Sequence, residues 1–149
     1  MLTGLEDMIK GLKAFDFGEE MERVIIEHKD VIADLQAEQW AKGINSFGRE
    51  IGPAYAPYTI EQKQQKSGLA AVTDHVTYYD TGELYKSLNG EVSNKQYDIT
   101  SPSFKFEKAK ERSGVTVVGL SPESKQRFAE EITIPGVRKV FKEKTGLSF

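Results

Sequence analysis

The chain contains no cysteine, and this absence removes two kinds of chemistry at once. Disulfide bridges need paired cysteines and thiolate metal sites need cysteine ligands, so neither is available to this protein. A domain of 149 residues can bury about two-thirds of the surface that its unfolded chain exposes, so its stability does not require disulfide bridges or other covalent cross-links. The absence of cysteine also fits a reducing compartment.

Long apolar runs are also missing from the sequence. No stretch approaches the roughly 20 apolar residues that a helix needs to cross a bilayer. The N-terminal residues have no extended apolar core and include Glu6 and Asp7, which is not the pattern of a secretory signal. We therefore expect one soluble domain spanning residues 1–149, with no membrane as a partner.

Motifs for catalysis and nucleotide binding are absent as well. The sequence has no GxGxxG, GxxxxGK[ST], GxSxG or HExxH pattern. Its two histidines are weak candidates, because His28 lies on the buried face of a predicted helix and His75 has only Asp74 beside it. Adjacent Glu130 and Glu131 would point in different directions on a helix. We expect no catalytic, metal or cofactor site.

Charge is unevenly distributed along the chain, although the total is only −3. Residues 1–38 hold ten acidic and four basic residues, residues 39–100 hold seven and six, and residues 101–149 hold six and ten. The net charges of the three segments are therefore −6, −1 and +4. The simplest interpretation is a set of solvated faces. The alternative is a head-to-tail contact between copies, in which unlike patches meet and close a ring.

The strongest periodic segment runs from Phe17 to Lys42. Apolar residues recur there at steps of three and four with acidic side chains between them, which predicts one long amphipathic helix. Asp16 suits the start of this helix and Gly43 suits its end. A weaker apolar pattern before it predicts a short helix that ends near Gly11.

Residues 43–75 have the composition of an extended loop or arm. Within this segment, Thr59 begins a short polar helix over about 59–67, and Gln62 would complete a capping box. The helix has almost no apolar face, so it must be exposed, mobile or completed by a partner. The tyrosines around the loop suit core edges and interfaces. Base stacking is a third option, which the lack of surrounding basic charge disfavours.

The second half of the chain changes to β character. The patterns over residues 92–99, 104–106 and 115–118 predict strands, with Asn94 marking a turn. Ser121-Pro122 then provides a good helix start. Helices, then antiparallel strands, then helices predict an α+β fold. In this fold a long N-terminal helix and shorter helices pack on a small antiparallel sheet of about 3–4 strands.

A capped helix is predicted between the loop and the strands, in the segment YYDTGELYKSL (78–88), after a brief β-prone run at 76–79. Asp80 and Thr81 would cap this helix, Glu83 would reach back to the cap, and Gly90 would close it. Gly82 would allow a tight turn, Leu84 and Leu88 would dock the helix on the sheet, and Ser87 would lie near the sheet edge. The residues of the whole pattern are Asp80, Thr81, Gly82, Leu84, Ser87 and Leu88.

This segment resembles the D-T-G-x-L-x-x-S pattern of the tail-completion, or virion-morphogenesis, proteins in the head–tail neck of long-tailed phages and prophages. In that family an amphipathic helix precedes the motif, and a small antiparallel sheet and a helix follow it. The same order is predicted here over nearly the whole chain. Residues 55–68 and 119–124 are also similar to prophage versions. A glycine- and threonine-rich stretch of many members is reduced here to Ile134-Pro135-Gly136.

The resemblance implies a non-enzymatic virion protein that assembles in the bacterial host cytoplasm. It implies a homo-oligomeric ring, with six subunits as in similar neck proteins, between the head connector and the tail. Its partners would be portal or adaptor proteins and tail-tube or terminator proteins. DNA would pass through the ring without sequence-specific recognition. The candidate subunit contacts are Tyr55, Tyr58, Lys63, Lys66, Arg138 and Lys139.

Other functions stay open at this point. A head–tail adaptor, a stopper or a tail-terminator would have the same α+β build. A small hydrolase would need a carboxylate or histidine of shifted pKa in a cleft. A nucleic-acid-binding module would need an affinity for DNA that falls with salt.

Overall fold

A computed structural model describes the backbone of residues 2–93 and 96–149, and the side chains from residue 4 onwards within those ranges. The predicted turn at Asn94 lies outside them. The chain forms two compact units, one from the residues up to His28 together with Arg127–Phe149, and one from Lys29–Gln126. The expectation of a single domain stays a prediction. No helix within the described ranges is long and apolar enough to cross a membrane.

Eight α-helices and one hairpin make up the regular structure of the described residues, joined by two short 3₁₀ turns and one π-helical turn. In chain order the elements are α1 (Leu2–Ala14), α2 (Phe17–Glu27), α3 (Lys29–Ala41), α4 (Pro57–Gln64), a 3₁₀ turn (Gly68–Ala71), α5 (Glu83–Lys86), β1 (Asn89–Ser93), β2 (Gln96–Thr100), α6 (Phe104–Ser113), a 3₁₀ turn (Val115–Val117), α7 (Pro122–Phe128), a π turn (Ala129–Thr133) and α8 (Ile134–Thr145).

The predicted long helix is divided at His28, so the expectation of one continuous helix over Phe17–Lys42 was wrong. The His28 ring Nδ1 lies 2.8 Å from the carbonyl oxygen of Val24, the usual acceptor for the backbone N–H of residue 28. That N–H instead donates to Ile25, at 3.1 Å. The imidazole of His28 therefore competes with the backbone N–H of the same residue for the Val24 carbonyl. His28 is half-buried and bonded to backbone, as a structural histidine should be.

The first unit joins the two ends of the sequence. Helices α1 and α2 both pack on α8. Gly11 is tight against the α8 backbone, since a Cβ there would lie 2.6 Å from the carbonyl oxygen of Lys144. Buried Glu20 accepts from Arg23 and from Lys144. The Glu20–Lys144 ion pair joins the acidic N-terminal segment to the basic C-terminal segment inside one unit, which weakens the case for a head-to-tail contact between the two chain ends.

The second unit is organised by α3, whose buried face carries amide side chains as well as apolar ones. Gln36 Oε1 accepts from the backbone N–H of Gly119 at 2.7 Å, and Gln39 Nε2 donates to the Gly119 carbonyl at 2.8 Å. Trp40 Nε1 donates to the carbonyl of Val117 at 2.8 Å. These three side chains supply the hydrogen bonds that a neighbouring strand would otherwise provide, so residues 115–118 form a 3₁₀ turn and an extended exit instead of the predicted strand.

The sheet is smaller than predicted. Its two antiparallel strands pair Asn89 with Thr100 and Ser93 with Gln96. The α+β class is correct, but about 3–4 strands was wrong, because residues 104–106 begin helix α6. Ser103 caps that helix and its Oγ accepts from the backbone N–H of Lys105. Only hairpin β1–β2 keeps the expected strand pattern among the residues that the structure describes.

Candidate functional site

The segment of residues 78–88, called the DTG segment below, turns at the predicted glycine, but Asp80 does not cap the helix that follows. Gly82 adopts a left-handed conformation with φ of 87°, and a Cβ there would lie 2.8 Å from the hydroxyl of Tyr79. Gly82 is itself the N-cap residue of α5, so the capping roles assigned to Asp80 and Glu83 were wrong. Thr81, the other residue predicted to cap this helix, does bond to its first residue, since its Oγ1 accepts from the backbone N–H of Glu83 at 3.3 Å.

The remaining motif residues tie α5 to its neighbours. Leu84 and Leu88 are buried, at 3% and 6% exposure. Ser87 Oγ donates to the Leu84 carbonyl and lies 2.6 Å from the hydroxyl of Ser101, directly after β2. The prediction that Ser87 lies near the sheet edge is therefore confirmed. The helix is shorter than expected and ends at Lys86, while Gly90 lies in β1 and does not close it.

Residues 76–79, predicted as a brief β-prone run, form a node of side-chain hydrogen bonds instead of a strand. Tyr78 has φ of 54°, a left-handed conformation that bulky residues rarely adopt. The Tyr55 hydroxyl accepts from the backbone N–H groups of Thr77 and Tyr78, at 2.9 and 3.3 Å. The Tyr85 hydroxyl donates to the Thr77 carbonyl at 2.6 Å. Tyr55, in the predicted arm, is thus fixed against the DTG segment.

Lys63 is the least expected residue of the site. It belongs to α4, which begins at Pro57 after Ala56, not at Thr59, and has no side-chain cap. Although α4 is polar, Lys63 is only 6% exposed. Its ammonium donates to the carbonyls of Ala70 and Tyr79 at 3.1 and 2.8 Å. No carboxylate among the described residues forms an ion pair with it. Lys63 is therefore a buried lysine held by two backbone carbonyls, and its role as a subunit contact stays a prediction.

An open groove of about 360 Å³ separates α4 from α6, and the DTG segment forms part of its wall. Helix α4, the turn that follows it and helix α6 bring five cations to the groove, against one carboxylate, that of Asp80. The cations are Lys63, Lys66, Lys105, Lys108 and Arg112. This cationic groove lies wholly within residues 29–126, so its geometry depends on one unit alone. It is the strongest candidate for a binding site on the described part of the chain.

The charged groups of the cationic groove are partly engaged with one another. Asp80 accepts from Lys66 and lies 4.0 Å from the ammonium of Lys105. Arg112 donates to the carbonyl of Ala54 at 2.9 Å and lies 5.5 Å from the Tyr55 ring centroid. The hydrogen bond from Lys66 holds the pKa of Asp80 below its usual range, and the charges of the nearby lysines act in the same direction.

Sequence reasoning missed the α6 half of the groove. Lys105, Lys108 and Arg112 recur at steps of three and four, which places them along one face of a helix. The alternation of Phe104 and Phe106 with charge favoured a strand, in which these cations would not share a face. The Ser103 cap, preceding a run rich in lysine and glutamate, was the signal that could have identified the helix.

The other predicted contact residues lie elsewhere. Tyr58 is 71% exposed on α4. Arg138 and Lys139 are exposed on α8, in the unit that does not contain the groove. The Arg138 guanidinium lies 5.5 Å from the ring centroid of Phe149. The structure therefore places Lys66, Lys63 and Tyr55 together, and leaves Arg138 and Lys139 outside that group.

Histidines and carboxylates do not gather into a second site. His75 Nε2 lies 2.8 Å from the carbonyl of Ala41, and its Nδ1 lies 2.8 Å from Asp74. Across the described ranges, no three His, Asp or Glu side chains come close enough to hold a metal ion. No protein-family model matches the chain, and no curated protein or solved structure matches it either.

Removing the Asp80 charge should change stability in a pH-dependent way. A carboxyl whose folded pKa is depressed stabilises the fold at neutral pH, and this contribution is lost as the pH falls through the folded pKa. We expect Asp80→Asn to cost about 0.2–1 kcal/mol at pH 7, because the ion pair is exposed, and almost nothing below about pH 3. Urea unfolding followed by the fluorescence of Trp40, the only tryptophan, would measure both values. Glu61→Gln, which removes another carboxylate of the same region, is the matched control. An equal loss of stability for Asp80→Asn at both pH values would refute the lowered pKa of Asp80.

Burial of the tyrosines predicts a loss of stability in alkali. Burial raises the pKa of Tyr78 and Tyr85 above the usual value. Above about pH 10 the unfolded chain loses these protons while the folded chain keeps them, so the free energy of unfolding should fall as pH rises. Tyr85→Phe should flatten this dependence between about pH 9.5 and 11, whereas exposed Tyr58→Phe should not. Identical slopes for wild type and Tyr85→Phe would contradict the prediction.

Proposed function

We propose that this chain is a non-enzymatic structural subunit of a tailed-phage virion, a tail-completion component that forms a ring in the neck between head connector and tail. The observation that supports it most is the position of the DTG segment. That segment, on which the family resemblance rests, is hydrogen-bonded through Tyr78 to Tyr55 and through Ser87 to Ser101, and it forms part of the wall of the cationic groove. A fixed, charged surface suits a specific contact within an assembly.

A head–tail adaptor, stopper or terminator would use such a surface equally well, and these roles differ in which neighbour is bound. A small hydrolase has less support. The one carboxylate of the groove, Asp80, is engaged by Lys66 and carries a lowered pKa, whereas a general acid near neutral pH needs a raised one. The groove therefore favours binding over acid–base chemistry.

A nucleic-acid-binding module is the second candidate, because five cations line the groove. Its aromatic side chains argue against base stacking. The Tyr55 ring is already contacted by Lys63 and Arg112, at 5.1 and 5.5 Å. Tyr79 and Tyr85 pack edge to face with each other, at 4.9 Å between centroids. The rings that line the groove are therefore engaged with one another and with its cations, and they offer no open face for a base.

Co-assembly with virion proteins tests the proposed function. The chain would be co-expressed with a connector protein and a tail-tube protein of a long-tailed phage, purified through a tag, and imaged by electron microscopy. We expect a ring bound to an identified connector or tail protein. The proposal is wrong if no connector, terminator or tail-tube protein from any such phage associates with the chain and no ring appears.

A further inference from the structure

The cationic groove carries more positive charge than its own residues neutralise. Lys63 is buried with two carbonyl acceptors, although an ammonium can donate three hydrogen bonds. The only groove carboxylate, Asp80, is shared between Lys66 and Lys105. Lys108 is exposed, with its ammonium 5.0 Å from the Phe104 ring centroid. Burying a charge without a counter-ion is costly, so an anion entering the groove would be stabilised.

Two observations favour an acidic polypeptide over a nucleic acid as that anion. The tyrosine rings that line the groove do not present faces for base stacking, and a carboxylate already occupies the groove between two lysines. Asp80 shows the geometry that this surface accepts: an acidic side chain accepting from Lys66 with a second ammonium at 4.0 Å. An acidic polypeptide face presents the same groups.

The chain itself carries such an acidic face on α2. Residues 16–27 contain five acidic residues and one basic residue, the densest acidic segment of the sequence. Glu19 accepts from Arg23 of the same helix at 3.2 Å, and its side chain is still 65% exposed. Ile26, seven positions further along the same helix face, is 43% exposed. Glu22 lies between them at a helical step. This α2 face of Glu19, Glu22 and Ile26 combines negative charge with an exposed apolar side chain.

We propose that the cationic groove of one copy receives the α2 face of a second copy, and that this is the head-to-tail contact that joins neighbouring subunits. The inference rests on the proposed ring function and deepens it. The groove and the α2 face are formed by different residues of the chain, so the contact is heterologous, as ring closure requires. It differs from a contact between the acidic and basic sequence ends, which the Glu20–Lys144 ion pair joins within one unit.

Neutral double variants test the contact, because they remove charge without creating a new complementary pair. Lys105→Gln/Lys108→Gln disables the groove and Glu19→Gln/Glu22→Gln disables the α2 face. Each variant alone should self-associate at least roughly tenfold more weakly than wild type, measured by sedimentation velocity. Mixed together, the two variants should form a 1:1 heterodimer, because one intact groove still meets one intact α2 face.

The controls remove the same charge elsewhere. Lys10→Gln/Lys13→Gln and Glu6→Gln/Asp7→Asn, both on α1, should assemble like wild type. The contact is overturned if the control variants lose assembly equally, if mixing yields no heterodimer, or if wild type stays monomeric at every concentration. A groove that binds duplex or single-stranded DNA, with binding lost in Lys105→Gln/Lys108→Gln, would overturn it in favour of nucleic acid. A monomer that still binds an identified connector protein would leave the proposed function standing while this contact fails.

Discussion

Replacing Trp40 by alanine should lower the free energy of unfolding of the unit formed by residues 29–126 by about 3–5 kcal/mol. Trp40 has 0% exposure and is the largest fully buried side chain described. Its ring contacts Tyr78 and Phe106, with centroids 5.7 and 6.4 Å away. Alanine would leave a cavity in this aromatic cluster and would also remove the hydrogen bond to Val117. Urea unfolding followed by far-UV circular dichroism would measure the loss, since the variant has no tryptophan fluorescence.

Trp40→Phe separates the packing loss from the hydrogen-bond loss. Phenylalanine keeps most of the ring contacts but leaves the Val117 carbonyl without its indole donor, which should cost about 1–3 kcal/mol. We therefore expect Trp40→Phe to lie clearly between wild type and Trp40→Ala. A cost for Trp40→Ala below about 1 kcal/mol, or equal costs for the two variants, would contradict the arrangement around Val117.

Gly90→Ala should destabilise the same unit by about 3 kcal/mol or more, because strand β1 approaches helix α3 too closely to admit a side chain. A Cβ at position 90 would lie 2.2 Å from the carbonyl oxygen of Lys29 and 3.3 Å from the Cβ of Ile32. Both obstacles sit on the helix, and the nearer one is backbone, so the strand or the helix must move. Trp40 fluorescence during urea unfolding would report the change, because Trp40 lies on α3.

Gly4→Ala is the matched glycine control. Position 4 lies inside α1, and a Cβ there would meet nothing within 4 Å. We expect no loss and a gain of about 0.5–1 kcal/mol in helix stability, since alanine is the better helix former. Wild-type stability in Gly90→Ala would show that the approach of β1 to α3 is looser than described.

Local signals predicted part of the secondary structure, because periodicity and turn residues act over a few positions. The sequence predicted β character over residues 92–99, a tight turn at Gly82 and the proximity of Ser87 to the sheet edge. The division at His28 was not predictable from periodicity, because it depends on a ring nitrogen competing for the Val24 carbonyl.

Long-range hydrogen bonds explain the remaining errors. Residues 115–118 have strand-like side chains, but Gln36, Gln39 and Trp40 supply the hydrogen bonds that define their path. Neither residues 115–118 nor helix α3 has a periodic sequence pattern that would predict these hydrogen bonds. The burial of Lys63 was hidden for the same reason, since its two carbonyl acceptors belong to Ala70 and Tyr79. The candidate site was thus half predicted: Tyr55, Lys66 and the DTG segment were named, and α6 was not.

The state of assembly of the wild-type chain in solution tests the central claim most directly. Mass measured by light scattering, from dilute to concentrated protein and at low and high salt, would show whether copies associate. The account predicts a concentration-dependent shift to one discrete ring-sized species, weakened by salt because the contact is between charged faces. A strict monomer at every concentration and both salt levels, which also fails to join a ring of connector proteins, would contradict it.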